Sequence, residues 1–369
     1  MNAGDEITIE ATELVAGGAA IARIDGFPIF ATNVFPGDVA VVRLTEVKKG
    51  FARADLVSLV KPSDERRALP CPIAEECGGC DWTALRLDRQ LAAKERILTE
   101  SLRRIGKFDV AALPKIGLHA SPLNYRIRSR FHRDGDVVGF YAMQSHRVVQ
   151  LVPECEVVGV ETARHARELP DGEVWEIDGR LIAADDEELS IHVGDFTYAL
   201  STGTFFQVNR HLLATMLELV TAHASRVTTK RRAVDLYAGV GFFTLPLAKQ
   251  FERVISVEGW SLSHHYARKN VPANVQLVQA PVEAWVRKMR DADLVFLDPP
   301  RAGAQREVID AAALHAREMV CYLSCDPVTF ARDASRLIAS GWRLSTLDLL
   351  DLFPNTHHVE TLASFERAG

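Results

Sequence analysis

Over the first sixty residues, short apolar runs alternate with polar positions at the two-residue period of strands, at 7–10, 19–24, 27–31, 38–44 and 52–57. Gly17-Gly18, Asp25-Gly26 and Pro36-Gly37 fall between them, and such pairs supply the unusual or fixed dihedrals that tight turns need. Five short strands in so little chain predict a small β-barrel. An oligonucleotide-binding barrel and an SH3-like barrel fit the pattern equally.

The rhythm then changes. Trp82, Leu85, Leu91, Leu98, Leu102 and Ile105 recur at helical spacing, with Gly106 as a stop. Residues 113–200 read mostly as strands, and the acidic, turn-rich stretch from Glu168 to Leu189 reads as a solvated hairpin. Further on, apolar runs at 233–237, 254–258, 275–279, 294–298 and 319–324 read as buried parallel strands, with helices between them and after the last. Runs at 343–349 and 359–365 come close together, as in an antiparallel hairpin. Five β/α repeats and a terminal hairpin predict an α/β, doubly wound, mostly parallel sheet. The chain divides into a barrel (1–60), a β-rich central part (61–205) and the α/β sheet (206–369).

A chain of 369 residues, 47% hydrophobic, can bury two or three cores. Its first residues lack the basic and apolar segments of a signal peptide. No apolar run approaches the roughly 18 residues of a membrane span. Six cysteines, unevenly spaced, are too few for a disulfide scaffold and point to a reducing cytosol. A net charge of −6 argues weakly against nucleic acid, but its distribution matters more. Residues 115–150 hold six Lys/Arg against Asp134 and Asp136. At strand period Arg126, Arg128 and Arg130 share a face, and strand-borne cations with nearby aromatics suit single-stranded RNA.

Candidate chemistry starts at Asp235-Leu236-Tyr237-Ala238-Gly239-Val240-Gly241-Phe242-Phe243-Thr244, a strand, a glycine turn and a helix start. Glycines let backbone approach a ligand closely. Glu258 ends the next strand, where a carboxylate can accept bonds from two ribose hydroxyls. A dinucleotide fingerprint wants a third glycine where Thr244 stands. S-adenosylmethionine, which has no pyrophosphate, fits better, with Asp235 near its cationic end. Asp298-Pro299-Pro300-Arg301 closes the fourth strand. Amino-group methyltransferases place an aromatic where Arg301 is, and RNA cytosine-C5 methyltransferases often place a cysteine where Pro300 is.

Ser324-Cys325-Asp326-Pro327 closes the fifth strand, where open α/β sheets bind ligands. Carbon 5 of uracil is a poor nucleophile until a thiolate adds at carbon 6, and a base must afterwards remove the carbon 5 proton. Cys325 suits the first role and Glu360, in the otherwise apolar or small run 359–363, the second. Cys321, inside the strand, reads as a buried core thiol. Elsewhere, Cys71, Cys77, Cys80 and the distant Cys155 supply four thiolates, which suit zinc or an iron–sulfur cluster alike.

With these stretches in place, together with Thr204-Phe205-Phe206-Gln207-Val208-Asn209 and 353–361, the chain resembles the RNA 5-methyluridine methyltransferases of the 23S rRNA (uracil-5-)-methyltransferase type. The resemblance implies a class I S-adenosylmethionine-dependent methyltransferase sheet, with Cys325 as nucleophile and Glu360 as base. It implies that Gln207, Tyr237, Gly239, Gly241, Glu258 and Asp298 line the cofactor and uracil pocket, and that Phe205 stacks on a flipped base. It further implies a TRAM-type barrel, a 4Fe-4S cluster on Cys71, Cys77, Cys80 and Cys155, and 23S rRNA as partner, with tRNA as the alternative. A cytoplasmic monomer is expected. Two positions depart from the family pattern: Asp326 replaces an Asn and is expected to raise the Cys325 pKa, and Pro281 stands where an acid often follows the third strand.

Overall fold

The computed structural model describes residues 1–183 and 187–367. Strands β1 (Glu6–Glu10), β2 (Glu13–Leu14), β3 (Ala20–Ile24), β4 (Phe27–Thr32), β5 (Val39–Val47) and β6 (Ala52–Lys61) form one sheet in the order β1-β5-β6-β4-β3-β2. Alternate residues such as Ile9, Ala20, Ala22, Ile29, Val42, Leu44, Ala52 and Ala54 are buried. This is the small β-domain the pattern predicts. Only the two-residue β2 has no signal in the pattern, being too short to show a period. Gly17 and Gly18 make the following turn at φ +90° and +88°. The turn packs against later chain: a Cβ on Gly18 would lie 2.6 Å from Asp81 Oδ2 and 2.9 Å from His357 Cβ.

Helix α1 (Leu87–Arg104) starts later than the apolar spacing predicts. Trp82 and Leu85 lie before it, and Ile105 after it is exposed. Its buried stripe includes Gln90 and Lys94 beside Ile97, Leu98 and Leu102. Polar residues enter this stripe because each finds partners there: Lys94 Nζ lies 2.6 Å from Asp351 Oδ1 and Gln90 Nε2 donates to the Trp82 and Leu85 carbonyls. Strand β7 (Ile116–His119) pairs in parallel with a strand near the C-terminus, so part of the stretch 61–205 joins the α/β sheet.

The central sheet runs β10-β9-β8-β11-β12, from β8 (Arg128–Asp134), β9 (Val137–Tyr141), β10 (Val148–Gln150), β11 (Gly172–Ile177) and β12 (Arg180–Ile182). A short helix α2 (Val160–Arg164) precedes β11. Strands β11 and β12 make a hairpin around Asp178 and Gly179, both at positive φ, but it is not the solvated one expected: Val174, Trp175 and Glu176 are buried because β11 also pairs with β8. Residues 184–186 of the acidic stretch lie outside the described residues. A second hairpin, β13 (Glu188–Val193) and β14 (Phe196–Ser201), leads to α3 (Leu213–Ser225).

The α/β sheet follows as β15 (Arg232–Leu236), α4 (Thr244–Ala248), β16 (Arg253–Glu258), α5 (Ser261–Asn270), β17 (Val275–Gln279), α6 (Val282–Trp285), β18 (Ala292–Leu297), α7 (Arg306–His315), β19 (Ala316–Ser324), α8 (Pro327–Ala339), β20 (Trp342–Leu350) and β21 (Glu360–Arg367). Its order is β17-β16-β15-β18-β19-β21-β20-β7. Every residue of β18 is buried, as a strand covered by helices on both faces must be. Strand β21 slots antiparallel between β19 and β20. This brings Glu360, first in β21, beside the end of β19, where Ser324 pairs with Thr361. The order reverses at β15 and β18, the switch point where such sheets bind ligands. Among the described residues no helix is long and apolar enough to cross a membrane.

Candidate active site

The C-terminal ends of β15, β16, β18 and β19 open into one cleft of about 430 Å³. Phe205, Gln207, Tyr237, Gly239, Glu258, Asp298, Cys325 and Glu360 all line it. Residues from four strand ends and two loops thus meet although 155 positions separate Phe205 from Glu360.

On the cofactor side, Tyr237 (φ 64°), Gly239 (φ 56°) and Gly241 (φ 92°) turn the chain away from β15. Nothing lies within 4 Å of where a Cβ on Gly239 would be, so backbone faces open space there. Glu258 accepts from the Gly239 N–H at 2.8 Å and the Trp260 N–H at 2.7 Å. It braces the glycine turn while each oxygen keeps a lone pair for a hydroxyl. Asp235 is buried, takes the Thr244 hydroxyl on Oδ2, and has no partner on Oδ1. Burial pushes its carboxyl up to about 7, against the Thr244 bond. Gly241 is closed off by Val271, 3.3 Å from where its Cβ would be, but open backbone at Gly239 near a buried, half-satisfied acid fits a ligand carrying a ribose and a positive centre. Pro281 does begin α6, and the acid nearby is Glu283, two residues on, which accepts from the Tyr237 hydroxyl at 2.9 Å.

On the reacting side, Gln207 Nε2 donates to Asp298 Oδ2 at 3.2 Å. Burial, then the charge of Asp235, pushes Asp298 up to about 8. Burial raises Glu360 well above the usual carboxylate range, and Asp298 adds to this. The Cys325 thiol is pushed up to about 11, by burial first and then by Glu360 and Asp298, while Arg301 works the other way by charge and by hydrogen bonding. Arg301 also meets His358 Nδ1 at 3.4 Å. Burial, with His357 and Arg301, pushes His358 down to about 4, so it is a neutral ring at pH 7.

The expectation for Asp326 is corrected. Its side chain caps α8, with Oδ1 accepting from Val328 N–H at 3.0 Å and Thr329 N–H at 2.8 Å. The carboxylates that raise Cys325 are Glu360 and Asp298. Asp followed by Pro at the first helical position is itself a cap signature. Cys321 is buried inside β19, as its place in the strand predicts.

Phe205 stands at the mouth, 52% exposed. The Arg128 guanidinium lies 5.0 Å from its ring centre and pairs with Glu173. The three arginines do not act as one face. Ile127 and Ser129 between them are buried, but only Arg130 is fully exposed. Arg126 precedes β8 and turns inward, its guanidinium 5.4 Å from the Phe140 ring and within reach of the Gly79 carbonyl.

Arg126 lies against the cysteines. Cys71, Cys77, Cys80 and Cys155 line one small cavity with Phe140 and Asn355. Burial pushes Cys71 up to about 11 and Cys80 to about 12, and Arg126 opposes the rise at Cys80 and Cys77. Among the described residues, no three His, Cys, Asp or Glu side chains are arranged to hold a single ion. Four thiols around one cavity are a donor set that suits zinc and an iron–sulfur cluster alike.

Residues 351–359, between β20 and β21, carry His358 and lead into Glu360. Local pattern gives no hint of what fixes them. Lys94 bonds Asp351 and, at 3.0 Å, the Phe353 carbonyl. Asn355, at φ 67°, accepts from Arg67 at 2.9 Å and donates to Glu156 at 2.9 Å. Asp81 accepts from the His357 N–H at 3.0 Å and meets its ring at 2.5 Å. Asp81 follows Cys80 and Glu156 follows Cys155, so the cysteine region and the loop are fastened together.

The family described as tRNA (uracil-5-)-methyltransferase matches residues 182–292 and 285–368, and the TRAM domain matches residues 2–57. The 23S rRNA (uracil(1939)-C(5))-methyltransferase of Vibrio parahaemolyticus is 31% identical, over 95% of this chain and 94% of that protein. An uncharacterized RNA methyltransferase of Gloeobacter violaceus is 30% identical over 99% and 97%. The solved structure of Pyrococcus abyssi tRNA (uracil-54, C5)-methyltransferase, in complex with S-adenosyl-L-homocysteine, superposes with a TM-score of 0.73 over 97% of this chain and 99% of that one. At 22% identity that likeness is one of fold.

Proposed function

The chain belongs to the tRNA (uracil-5-)-methyltransferase family, and on that premise we propose that it methylates carbon 5 of one uridine in 23S rRNA through a covalent cysteine adduct. The reading rests on one observation above others: Cys325, Glu360, Asp298 and Gln207 share a single cleft with the glycine turn. Gly239, Gly241 and Glu258 would hold S-adenosylmethionine, which would supply an electrophilic methyl sulfonium. The Cys325 thiol loses its proton to water and the thiolate adds to carbon 6 of the uracil, with Arg301 offsetting the charge. The electron pair then resides on the carbon 5 enolate, which would take the methyl as the S–CH3 bond breaks and the donor's sulfur leaves as a neutral thioether. Glu360, raised by burial, removes the carbon 5 proton, the S–C6 bond breaks and the thiolate leaves. Gln207 and Asp298, the latter protonated at neutral pH, offer hydrogen bonds to the polar edge of the ring. Phe205 and Arg128 receive the flipped base, and Arg130 a neighbouring phosphate.

The choice of 23S rRNA draws on the Vibrio relative and on the barrel at the amino terminus. Nucleoside analysis of a deletion strain tests it. We expect 5-methyluridine to disappear from one site of 23S rRNA and to persist in tRNA. Loss from tRNA alone would overturn the assignment. The three parts then serve as RNA-holding barrel, cysteine-bearing central region and catalytic sheet, in a cytoplasmic monomer.

We place a 4Fe-4S cluster on Cys71, Cys77, Cys80 and Cys155, supported by the four-thiol cavity. Protein prepared without oxygen should be brown, with iron and sulfide bound. Cys77→Ser or Cys155→Ser should be colourless. Stoichiometric zinc without iron would sink this reading.

A further inference from the structure

Beyond the pocket, the outer face of the central sheet carries aromatic rings that the core does not use. Along β8, Arg128, Arg130 and His132 alternate with the buried Ser129 and Phe131. His132 lies flat on Tyr141 of β9, with ring centres 3.7 Å apart and planes 9° from parallel. His146, exposed on the β9–β10 connection, stands edge-on to Tyr141 at 5.2 Å and 86°. Cations surround these rings. Arg130 is exposed and, among the described residues, has no ion-pair partner, while exposed Arg147 is paired only with Glu76 at the surface. The acids on this side are Glu173, held by Arg128, Glu76, held by Arg147, Asp171, 3.9 Å from His132, and Asp134 and Asp136 at the hairpin tip.

The face is continuous with the active-site mouth, because Arg128 sits over Phe205. From Arg128 to His132 is four strand residues, about 13 Å.

We propose that the stacked His132–Tyr141 pair is a second base-binding platform, on which an unpaired base of the RNA strand flanking the target uridine stacks while Arg130 takes a phosphate between the two. This deepens the RNA-methylation reading and rests on it. Every base has a π-face, so a rigid aromatic pair holds a nucleotide without selecting its identity, and a flanking base fixed there aims the target at Phe205. The alternative is that the pair merely ties two strands together.

Stacking and phosphate contacts separate in their salt dependence. Binding of oligouridylate to the full-length protein should weaken about tenfold or more in His132→Ala/Tyr141→Ala, with the slope of log Kd against log salt unchanged. Arg130→Ala should lower that slope by about 0.7. His132→Phe/Tyr141→Phe keeps flat rings and should bind within about twofold of wild type. With 4-thiouridine in the oligomer, light should crosslink it within residues 132–147, and the alanine pair should lose that crosslink. Unchanged affinity in a folded alanine pair overturns the platform, as does equal weakening by the phenylalanine pair. Failure of the wild-type protein to bind RNA would instead overturn the functional reading itself.

Discussion

Cys325→Ala abolishes methyl transfer, lowering kcat/KM by about four orders of magnitude or more, and leaves S-adenosylmethionine binding within about twofold of wild type. The large effect follows from chemistry. Without a sulfur at carbon 6, carbon 5 of uracil does not become an enolate and cannot attack the sulfonium. The spared binding follows from geometry, since the cofactor side is built from the glycine turn, Asp235 and Glu258, on other strands. Calorimetry against rate measurements checks both halves, and parallel loss of affinity and rate would sink the assignment. The same thiol sets the pH profile. Its pKa, pushed up to about 11, leaves little thiolate at neutral pH, and the thiolate fraction grows tenfold per pH unit below that value. Rate at subsaturating RNA should therefore climb from roughly pH 6 upward. The climb should slacken near 8, where Asp298 ionises and its charge raises the thiol further. A profile flat from pH 6 to 9 would mean that thiol ionisation does not limit the reaction.

Glu360→Gln arrests the cycle with enzyme and RNA joined. Methyl transfer to carbon 5 precedes removal of the carbon 5 proton, so an amide at position 360 leaves the methylated adduct with no base to release it. Turnover should fall about 10²- to 10⁴-fold. A band combining protein and RNA should survive denaturing electrophoresis and carry label from the methyl group. The buried setting of Glu360, first residue of β21, suits this role, because desolvation makes its carboxylate a stronger base than one in water. Unchanged turnover in the Gln variant would move the base elsewhere, with the neutral His358 ring, which lines the same cleft, a candidate.

How much of this is legible in the sequence depends on whether the determining contacts are local. Strands β18 and β19 declare themselves because a strand buried on both faces must be apolar throughout, and their ends then locate Asp298 and Cys325; β17, read from the sequence as buried, is the sheet's edge and has no fully buried residue. The cap at Asp326 is equally local: the Asp-Pro pair, and not the nearness of Cys325, decides where that carboxylate points. The strand β7 is different. Ile116-Gly117-Leu118-His119 reads as strand, but nothing in four residues names β20 as its neighbour. Arg126 shows the limit of periodicity, which gives a face but not the direction of a long, flexible side chain. Lys94 and Gln90 are invisible for a sharper reason: polar residues enter a helix's buried stripe only when partners exist, and Asp351 lies 257 positions from Lys94 while Gln90, besides the nearby Trp82 and Leu85 carbonyls, holds Asn355 from 265 positions away.

The fastening of residues 351–359 also orders events in time. Arg67, Asp81, Lys94 and Glu156 are synthesised first, and the loop that they hold follows much later. At roughly 5–20 residues per second, on the order of 10–50 s separate Lys94 from Asp351. During that interval a nascent chain presents the cysteine region beside polar groups still open to water, with Glu360 not yet made. Glu360 arrives together with the segment that closes those groups. Residue 360 therefore takes its place beside Cys325 only once that segment has been made and fastened.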